Sequence, residues 1–362
     1  MSTTDASARR DALAQKLFEA TVGAGELVGV YVGDRLGLYE ALKRLGGATS
    51  SELAAATGTH ERYVREWLEQ QAVGGIIDAS DDSDARRRRY TLPAGHDDVL
   101  LDVEHLSHLS PLVRLVVGAM PLAPRLVQVF RTGEGIAWPE FGPDVIEGQA
   151  GQNRAAFLKQ LGQEWLPAVP ELHARLQADP PARVADVACG GGWSSIGIAR
   201  AYPKVRVDGF DLDERSIAIA REHVKQAGLG ERISMAVRDA GDPALSGRYD
   251  LVTIFEALHD MSRPVEVLAA VRGLLAPGGS VLIMDEKVAE MFTAPGDAIE
   301  RLMYGFSVLC CLPVGLSDTP SEGTGTVMRP ETLHAYAKRA GYSRSEVLPI
   351  EHEMFRFYRL TP

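Results

Sequence analysis

The sequence predicts an α/β protein whose C-terminal half contains a parallel sheet and whose first hundred residues are mostly helical. Three observations favour this fold. A short apolar segment at Val184–Val187 is followed closely by three glycines, further apolar segments of strand length follow it at intervals, and an amphipathic helical pattern from Ser216 to Ala227 lies between two of them. Strands alternating with helices are typical of an open parallel sheet covered on both faces.

The first predicted strand ends in a glycine turn. Pro180 and Pro181 end the preceding helix, and Ser194 and Ser195 are available to cap the next one. Since Gly190–Gly192 have no Cβ, the backbone can turn sharply and a ligand can lie against its N–H groups. The segment therefore predicts a nucleotide-binding turn.

The second predicted strand, Val205–Asp211, ends on an acidic residue. An acid in this place can accept hydrogen bonds from both hydroxyls of a ribose. Alternatively, Asp211 or Asp213 caps the helix that follows. Both interpretations remain open at this point.

The turn lacks the third glycine of a dinucleotide fingerprint, because Ser195 stands there and Trp193 lies within the turn. Asp186, Cys189, Gly190 and Gly192 together resemble motif I of class I S-adenosylmethionine (SAM) methyltransferases. The resemblance implies a Rossmann-like seven-stranded sheet over residues 176–362 that binds SAM. It also implies a set of cofactor-binding residues: Asp186, Ala188, Gly190, Gly192, Asp211, Leu212, Asp239, Ala240 and Glu256.

Later segments resemble the rest of this sheet in order. Ile233–Gly241 is similar to the third strand, whose terminal acid and following N–H hold the adenine. Tyr249–Phe255 is similar to the fourth strand, and Leu274–Met284 to the helix end, turn and fifth strand. The segments Ser345–Leu348 and Met354–Leu360 are expected to form the closing antiparallel hairpin.

Residues 1–100 predict a winged helix. A helix from Asp11 to Leu45 is expected to be interrupted at Gly33 and Gly37, and a capping box at Thr49–Glu52 opens a short helix that ends at Gly58. Further expected elements are a helix over Glu61–Ala72 with Tyr63, Trp67 and Leu68 on its apolar side, and a hairpin over Ile76–Leu92.

A winged helix serves either DNA binding or, in plant-type O-methyltransferases, dimerisation over a substrate pocket. The candidate recognition helix carries Glu61, Glu66 and Glu69 against Arg62 and Arg65. Phosphates repel such a helix, so we expect no nucleic-acid partner. The resemblance to plant-type O-methyltransferases implies a homodimer instead.

The composition of the 362 residues is typical of a globular protein, with 45% hydrophobic residues, 24% charged residues and a net charge of −11. We expect no membrane span, because no uninterrupted apolar run approaches about 18 residues, and a cytoplasmic location, because the N-terminus does not resemble a signal peptide. The three cysteines lie outside zinc spacings, so we expect reduced thiols and no metal.

Residues 101–175 predict a helical connector. Phe157, Leu161, Trp165 and Leu166 follow helical spacing. This segment either packs on the catalytic sheet or also covers a pocket for an apolar acceptor. We expect the acceptor pocket to include Phe157, Trp165, Asp260 and Tyr304.

The segment after the fourth strand carries the candidate chemistry. Ligands of open α/β sheets bind beyond the carboxyl ends of strands, where His259 falls, and a histidine pKa near 6.5 suits a general base. Leu258–Asp260 resembles the Leu-His-Asp-Trp motif of plant-type O-methyltransferases, with Met261 in place of the tryptophan. The alternative is a helix-terminal histidine bonded to backbone. Glu286 is expected to orient His259 or contact the acceptor, unless it is an exposed loop acid.

The sequence thus predicts a SAM-dependent methyltransferase acting on a small, apolar or aromatic hydroxyl compound, with His259 as base. Over nearly its full length it also resembles actinobacterial methyltransferases and regulators, through Gly58–Leu68 and Leu258–Asp260. Two alternatives remain: a SAM-sensing, DNA-binding regulator, and a SAM-dependent enzyme such as a cyclase that transfers no methyl group.

Overall fold

The computed structural model describes residues 3–242 and 247–362. It divides into two compact units, Met1–Val117 and Gly118–Pro362. The division falls inside the predicted helical connector, and each unit is described separately below.

The N-terminal unit is mostly helical. Its helices are α1 (Thr3–Arg35), α2 (Leu38–Leu45), α3 (Ser50–Thr57), α4 (Glu61–Val73), α5 (His96–Leu100) and α6 (Ser110–Ala119), the last extending past the division. Its strands, β1 (Asp78–Ala79) and β2 (Tyr90–Thr91), form an antiparallel hairpin that is shorter than predicted.

Local signals in this unit behave largely as expected. The capping box between Thr49 and Glu52 is present, and Gly58 ends α3 in the left-handed conformation. Gly37 separates α1 from α2 with a φ of 64°. The predicted break at Gly33 is wrong: this residue lies within α1, and a Cβ there would lie 2.5 Å from the Tyr39 ring. Gly33 therefore allows close packing.

The core of this unit lies between α2, α3 and α4. On α4, Val64, Trp67 and Leu68 are buried. The expectation that Tyr63 lies on the apolar side is wrong, because its side chain is 80% exposed. Val64 takes its place, since positions 64, 67, 68 and 71 share one helical face.

The C-terminal unit has ten α-helices within the described residues, six before the fourth strand of its sheet and four after it. The first five are α7 (Ala123–Thr132), α8 (Gly142–Gln152), α9 (Arg154–Lys159), α10 (Pro170–Gln177) and α11 (Trp193–Ala201). The others are α12 (Glu214–Gln226), α13 (Pro264–Leu274), α14 (Ala298–Phe306), α15 (Leu312–Gly315) and α16 (Pro330–Arg339). Wider π-helical turns occupy Leu161–Trp165 and Ser307–Cys311.

A seven-stranded mixed sheet forms the centre of this unit, as predicted. Its strands are β3 (Arg183–Val187), β4 (Arg206–Asp211), β5 (Ile233–Val237), β6 (Tyr249–Phe255), β7 (Leu275–Glu286), β8 (Arg344–Val347) and β9 (Phe355–Thr361). They lie in the order β5-β4-β3-β6-β7-β9-β8, and β9 is antiparallel to both neighbours.

Both faces of the sheet are covered by apolar side chains. Val184 and Leu251 belong to one cluster, while Ala185 and Val252 belong to the other. This alternation follows from the two-residue period of a strand. The strand order reverses at β3, so the carboxyl ends of β3, β4 and β6 border the crevice in which such sheets bind ligands.

Two helical stretches are longer and more apolar than the sequence suggested. Residues Ser110–Thr132 and Ala298–Gly315 have mean hydropathies of 1.4 and 1.3 over 18-residue windows, which matches a membrane span by length and composition only. Core helices of soluble proteins pass the same test but are mostly buried, whereas these windows are 22% and 33% buried.

Candidate active site

The glycine turn lies between β3 and α11. Gly190 and Gly192 have φ values of 49° and 76°, which glycine adopts without strain. A Cβ at Gly192 would lie 2.9 Å from Met235 Cε and 3.1 Å from Ala220 Cβ. The turn is therefore packed tightly against Met235 and Ala220, and the Gly192 N–H bonds to the Cys189 carbonyl at 2.8 Å.

Asp186 fixes this turn from within the sheet. Its carboxylate accepts hydrogen bonds from Ser194 Oγ and Ser195 Oγ, both at 2.6 Å, and from Thr253 Oγ1 at 2.7 Å. Burial raises the pKa of Asp186, and the three hydroxyl bonds oppose that effect. Ser195, at the position of the missing third glycine, thus anchors α11 to β3.

Asp211 lies at the end of β4 facing the turn. Its carboxylate accepts hydrogen bonds from the N–H groups of Gly190 and Asp213, both at 2.9 Å. The helix cap is Asp213, which accepts from the Ser216 N–H at 2.7 Å. Asp211 does not cap α12, and its ribose contact stays a prediction.

The other predicted cofactor residues follow β3, β4, β5 and β6. Leu212 is exposed directly after Asp211, and Ala240 is buried. Asp239 accepts a hydrogen bond from the Gly241 N–H at 2.7 Å. Ala188 and Glu256 are the two non-glycine residues with positive φ in the described chain, at 54° and 49°. Both follow adjacent strands of the sheet, where Ala188 leads into the glycine turn.

His259 and Asp285 form a buried pair at the carboxyl ends of β6 and β7. His259 lies in the 3₁₀ turn Leu258–Asp260, and its Nδ1 is 2.8 Å from Asp285 Oδ1. The residues are 3% and 1% exposed. An ionised Asp285 favours the proton on Nδ1 and leaves the lone pair on Nε2.

Asp285 is the residue that orients His259, so the expectation that Glu286 does so is wrong. Asp285 Oδ1 also accepts the backbone N–H of Glu286 at 2.9 Å, which fixes its orientation. The alternative of a backbone-bonded His259 is also wrong for Nδ1, whose partner is this carboxylate. Burial by itself lowers the pKa of His259, but Asp285 raises it and the net pKa lies well above the usual value.

Cys311 lies beside His259. Its pKa is raised by contact with Cys310 and by burial, while the neighbouring His259 lowers it. Sequence reasoning expected a buried, reduced cysteine here and missed this contact. No local signal indicates it, because the helical segment that carries Cys311 follows β7 by more than twenty residues.

Glu286, Glu256 and Asp260 surround the histidine pair. Glu286 is 8% exposed, so it is not an exposed loop acid. It lies beside Glu256, and burial raises the pKa of Glu286 to about 8 and that of Glu256 well above its usual range. Burial also raises the pKa of Asp260 to about 6. Glu286 therefore retains its proton near neutral pH.

The remaining predicted pocket residues do not form one group. Phe157 stacks on Phe255 at 5.6 Å between ring centroids. Trp165 is fully buried and packs on Phe357 at 5.0 Å, so it is a core residue. Tyr304 is partly exposed and contacts Arg329. Phe157 thus contacts a strand that ends at this site, whereas Trp165 contacts β9.

Family models match two parts of the chain. A methyltransferase domain matches residues 184–279, and an Rv2258c-like winged HTH domain matches residues 24–101. The ubiquinone biosynthesis O-methyltransferase of Aromatoleum aromaticum is 30% identical over 170 residues, covering 47% of this chain and 68% of the relative. That of Bordetella avium is 30% identical over 195 residues, covering 54% and 73%.

Solved structures share the architecture over nearly the whole chain. The mitomycin 7-O-methyltransferase MmcR has a TM-score of 0.72 at 21% identity, covering 98% of this chain and 99% of its own. Human N-acetylserotonin methyltransferase in complex with SAM has a TM-score of 0.72 at 16% identity, covering 96% and 97%.

The site itself fits SAM. The glycine turn has no room for a Cβ at Gly192, and Asp211 presents a carboxylate at its edge. Together with the relatives, these features identify both cofactor and family. The chain belongs to the SAM-dependent O-methyltransferases and carries an N-terminal winged HTH domain.

Proposed function

We propose that this protein methylates a hydroxyl group of a small, apolar or aromatic acceptor, with His259 as the general base. The buried His259–Asp285 pair supports this most directly, because it places an oriented imidazole beyond the strand ends that border the SAM site. Three of the four relatives reported above are O-methyltransferases by name, which supports an oxygen acceptor.

Each residue of the site has a separate role in the reaction. SAM, when bound, supplies an electrophilic methyl group for in-line displacement. Nε2 of His259 accepts the proton of the acceptor hydroxyl as its oxygen forms the bond to the methyl carbon. Asp285 stabilises the imidazolium through Nδ1–H, and the stacked rings of Phe157 and Phe255 keep water from the reacting oxygen.

The proposal predicts the fate of the methyl group. With SAM labelled at the methyl carbon and a panel of naphthols, we expect the label on the naphthol oxygen, as detected by mass spectrometry and NMR. Label retained on SAM while an acceptor is converted would instead support the cyclase alternative. Label on carbon or nitrogen in matched acceptors, without any on oxygen, would contradict an oxygen acceptor.

We further propose that the winged-helix region supports a homodimer and does not bind DNA. Helix α1 carries exposed apolar side chains, with Leu17 at 60% and Phe18 at 64% exposure. On α4, Arg62 pairs with Glu66 and Arg65 with Glu61, which neutralises the two arginines that a phosphate would contact. A second copy that covers α1 would remove the apolar surface from water.

This assembly is tested by the double substitution Leu17→Glu and Phe18→Glu. Two charges in a buried interface are costly, so we expect the dimer of the parent protein to become a monomer in light scattering coupled to size exclusion. The control carries Lys16→Glu and Glu19→Gln, on the same exposed helix. Its molecular mass in solution should be unchanged. A parent monomer, or an unchanged dimer in the double variant, would contradict the proposal.

A further inference from the structure

A histidine on α12 holds the glycine turn from outside. His223 lies in the last turn of this helix, and its Nδ1 is 2.8 Å from the carbonyl oxygen of Gly191. Since a carbonyl oxygen only accepts hydrogen bonds, Nδ1 carries the hydrogen and donates it. Burial lowers the pKa of His223 below its usual value, although the bond to Gly191 opposes this effect. The ring is therefore neutral at neutral pH and has a defined tautomer.

This bond fixes one peptide unit of the turn at both of its polar groups. The carbonyl of Gly191 accepts from His223, and the N–H on the other side of the same peptide unit, that of Gly192, bonds to the Cys189 carbonyl at 2.8 Å. Glycine has more backbone freedom than any other residue, so three glycines in succession are costly to order. The two bonds limit this freedom before a ligand binds.

The imidazole of His223 also packs on Trp193, the residue directly after the three glycines. The two ring centroids are 4.3 Å apart and the ring planes make an angle of 32°. The guanidinium carbon of Arg154, on α9, lies 4.2 Å from the centroid of the same indole, in a cation–π contact. Trp193 is 8% exposed. Helices α9 and α12 thus both hold the turn through one indole ring.

Helix α8 limits the position of the same glycine by steric contact. A Cβ at Gly191 would lie 2.8 Å from the Cβ of Ala150, so no side chain fits there. Ala150 has no polar side-chain atom, and its contact restricts where Gly191 lies without orienting its peptide plane. The orientation of the Gly191 carbonyl depends instead on the donor from His223.

We propose that His223 is a positioning residue for SAM, because it donates to the Gly191 carbonyl and stacks on Trp193 and so holds the glycine turn in its cofactor-binding conformation. A turn that is ordered in advance does not spend cofactor-binding free energy on its own ordering. His223 acts through the turn and takes no part in methyl transfer. The inference goes beyond the proposed function, since it applies to any acceptor.

Two substitutions separate the hydrogen bond from the ring. His223→Phe keeps a ring that can stack on Trp193 but has no donor, whereas His223→Asn keeps an N–H donor near the position of Nδ1 without the ring. Gly191 is buried, so we expect the loss of its donor in His223→Phe to raise the Kd of the demethylated cofactor about tenfold in calorimetry. His223→Asn should restore most of the affinity. The KM for SAM should follow the Kd, with kcat unchanged at saturating SAM.

The matched control is His173→Phe in the same unit. His173, on α10, also bonds through Nδ1, at 2.8 Å from the Tyr202 hydroxyl, and its ring contacts the tyrosine ring. Tyr202 lies at the opposite end of α11 from the glycine turn, so the Kd should not change. Thermal unfolding checks the fold of each variant. If His223→Phe does not fold, His223→Ala takes its place, and its Kd must exceed that of His223→Asn.

The results are decided by cofactor binding. An unchanged Kd in His223→Phe overturns the proposal, and so does a fall in kcat with an unchanged Kd. Equal losses of affinity in His223→Phe and His223→Asn overturn the role of the carbonyl bond. Calorimetry needs no acceptor, so a failure to methylate any hydroxyl compound would contradict the proposed function and leave this test intact.

Discussion

Replacing His259 by alanine is expected to lower kcat about 10²- to 10⁴-fold while SAM binding is retained, because a positioned general base contributes rate enhancement of this size. The imidazole lies beyond β6 and makes its Nδ1 bond to Asp285, whereas the glycine turn is held by Asp186 and Asp211. The contact that holds His259 is therefore separate from the contacts that hold the glycine turn. Single-turnover transfer from labelled SAM measures the loss, and calorimetry with the demethylated cofactor measures binding.

The control for this experiment is His105→Ala, which removes a partly exposed histidine of the N-terminal unit and should leave both quantities unchanged. Wild-type turnover in His259→Ala would show that the acceptor needs no base at this position. Loss of cofactor binding in the same variant would show that His259 acts on the SAM site instead.

Asp285→Asn is expected to lower kcat by about a hundredfold or more, because an amide can donate to Nδ1 and so favour the wrong imidazole tautomer. The buried carboxylate also raises the pKa of His259 well above its usual value. A base must be unprotonated, so activity is present above this pKa and is lost as the pH falls through it. The wild-type rate should therefore still be rising above pH 6.5, the ordinary histidine value.

In Asp285→Asn, the rate should rise at lower pH than in the wild type, since no carboxylate stabilises the imidazolium. The measurement is kcat/KM against pH for both proteins, with Asp318→Asn as an exposed control. If kcat/KM of the variant rose at the same pH as that of the wild type, a group other than His259 would govern the profile. An unchanged rate with a shifted profile would show that tautomer control is unimportant here.

The sheet could be predicted because its signals are local. Each central strand is a short apolar segment, and the glycines after Val187 and the acid at the end of β4 mark where strands end. Turn and capping signals at Thr49, Gly58 and Asp213 depend on neighbours within four residues. Such features need no knowledge of distant contacts.

The site was harder to predict because its contacts join distant segments. Asp285 and Glu286 are adjacent and both acidic, and only the position of β6 beside β7 shows which of them meets His259. Cys311 reaches the imidazole through a helix whose path is set by packing. Trp165 has the helical spacing of a pocket residue, but β9 lies against it and makes it part of the core.

The left-handed backbone at Ala188 and Glu256 has a consequence for engineering this protein. Side chains rarely adopt this conformation, and each such residue costs about 1–3 kcal/mol that the remaining fold must offset. Both lie where strands end at the reaction centre. Substitutions that relax them would raise the melting temperature but shift the backbone that positions the cofactor and His259. The most thermostable form of this chain is therefore expected not to be the most active one.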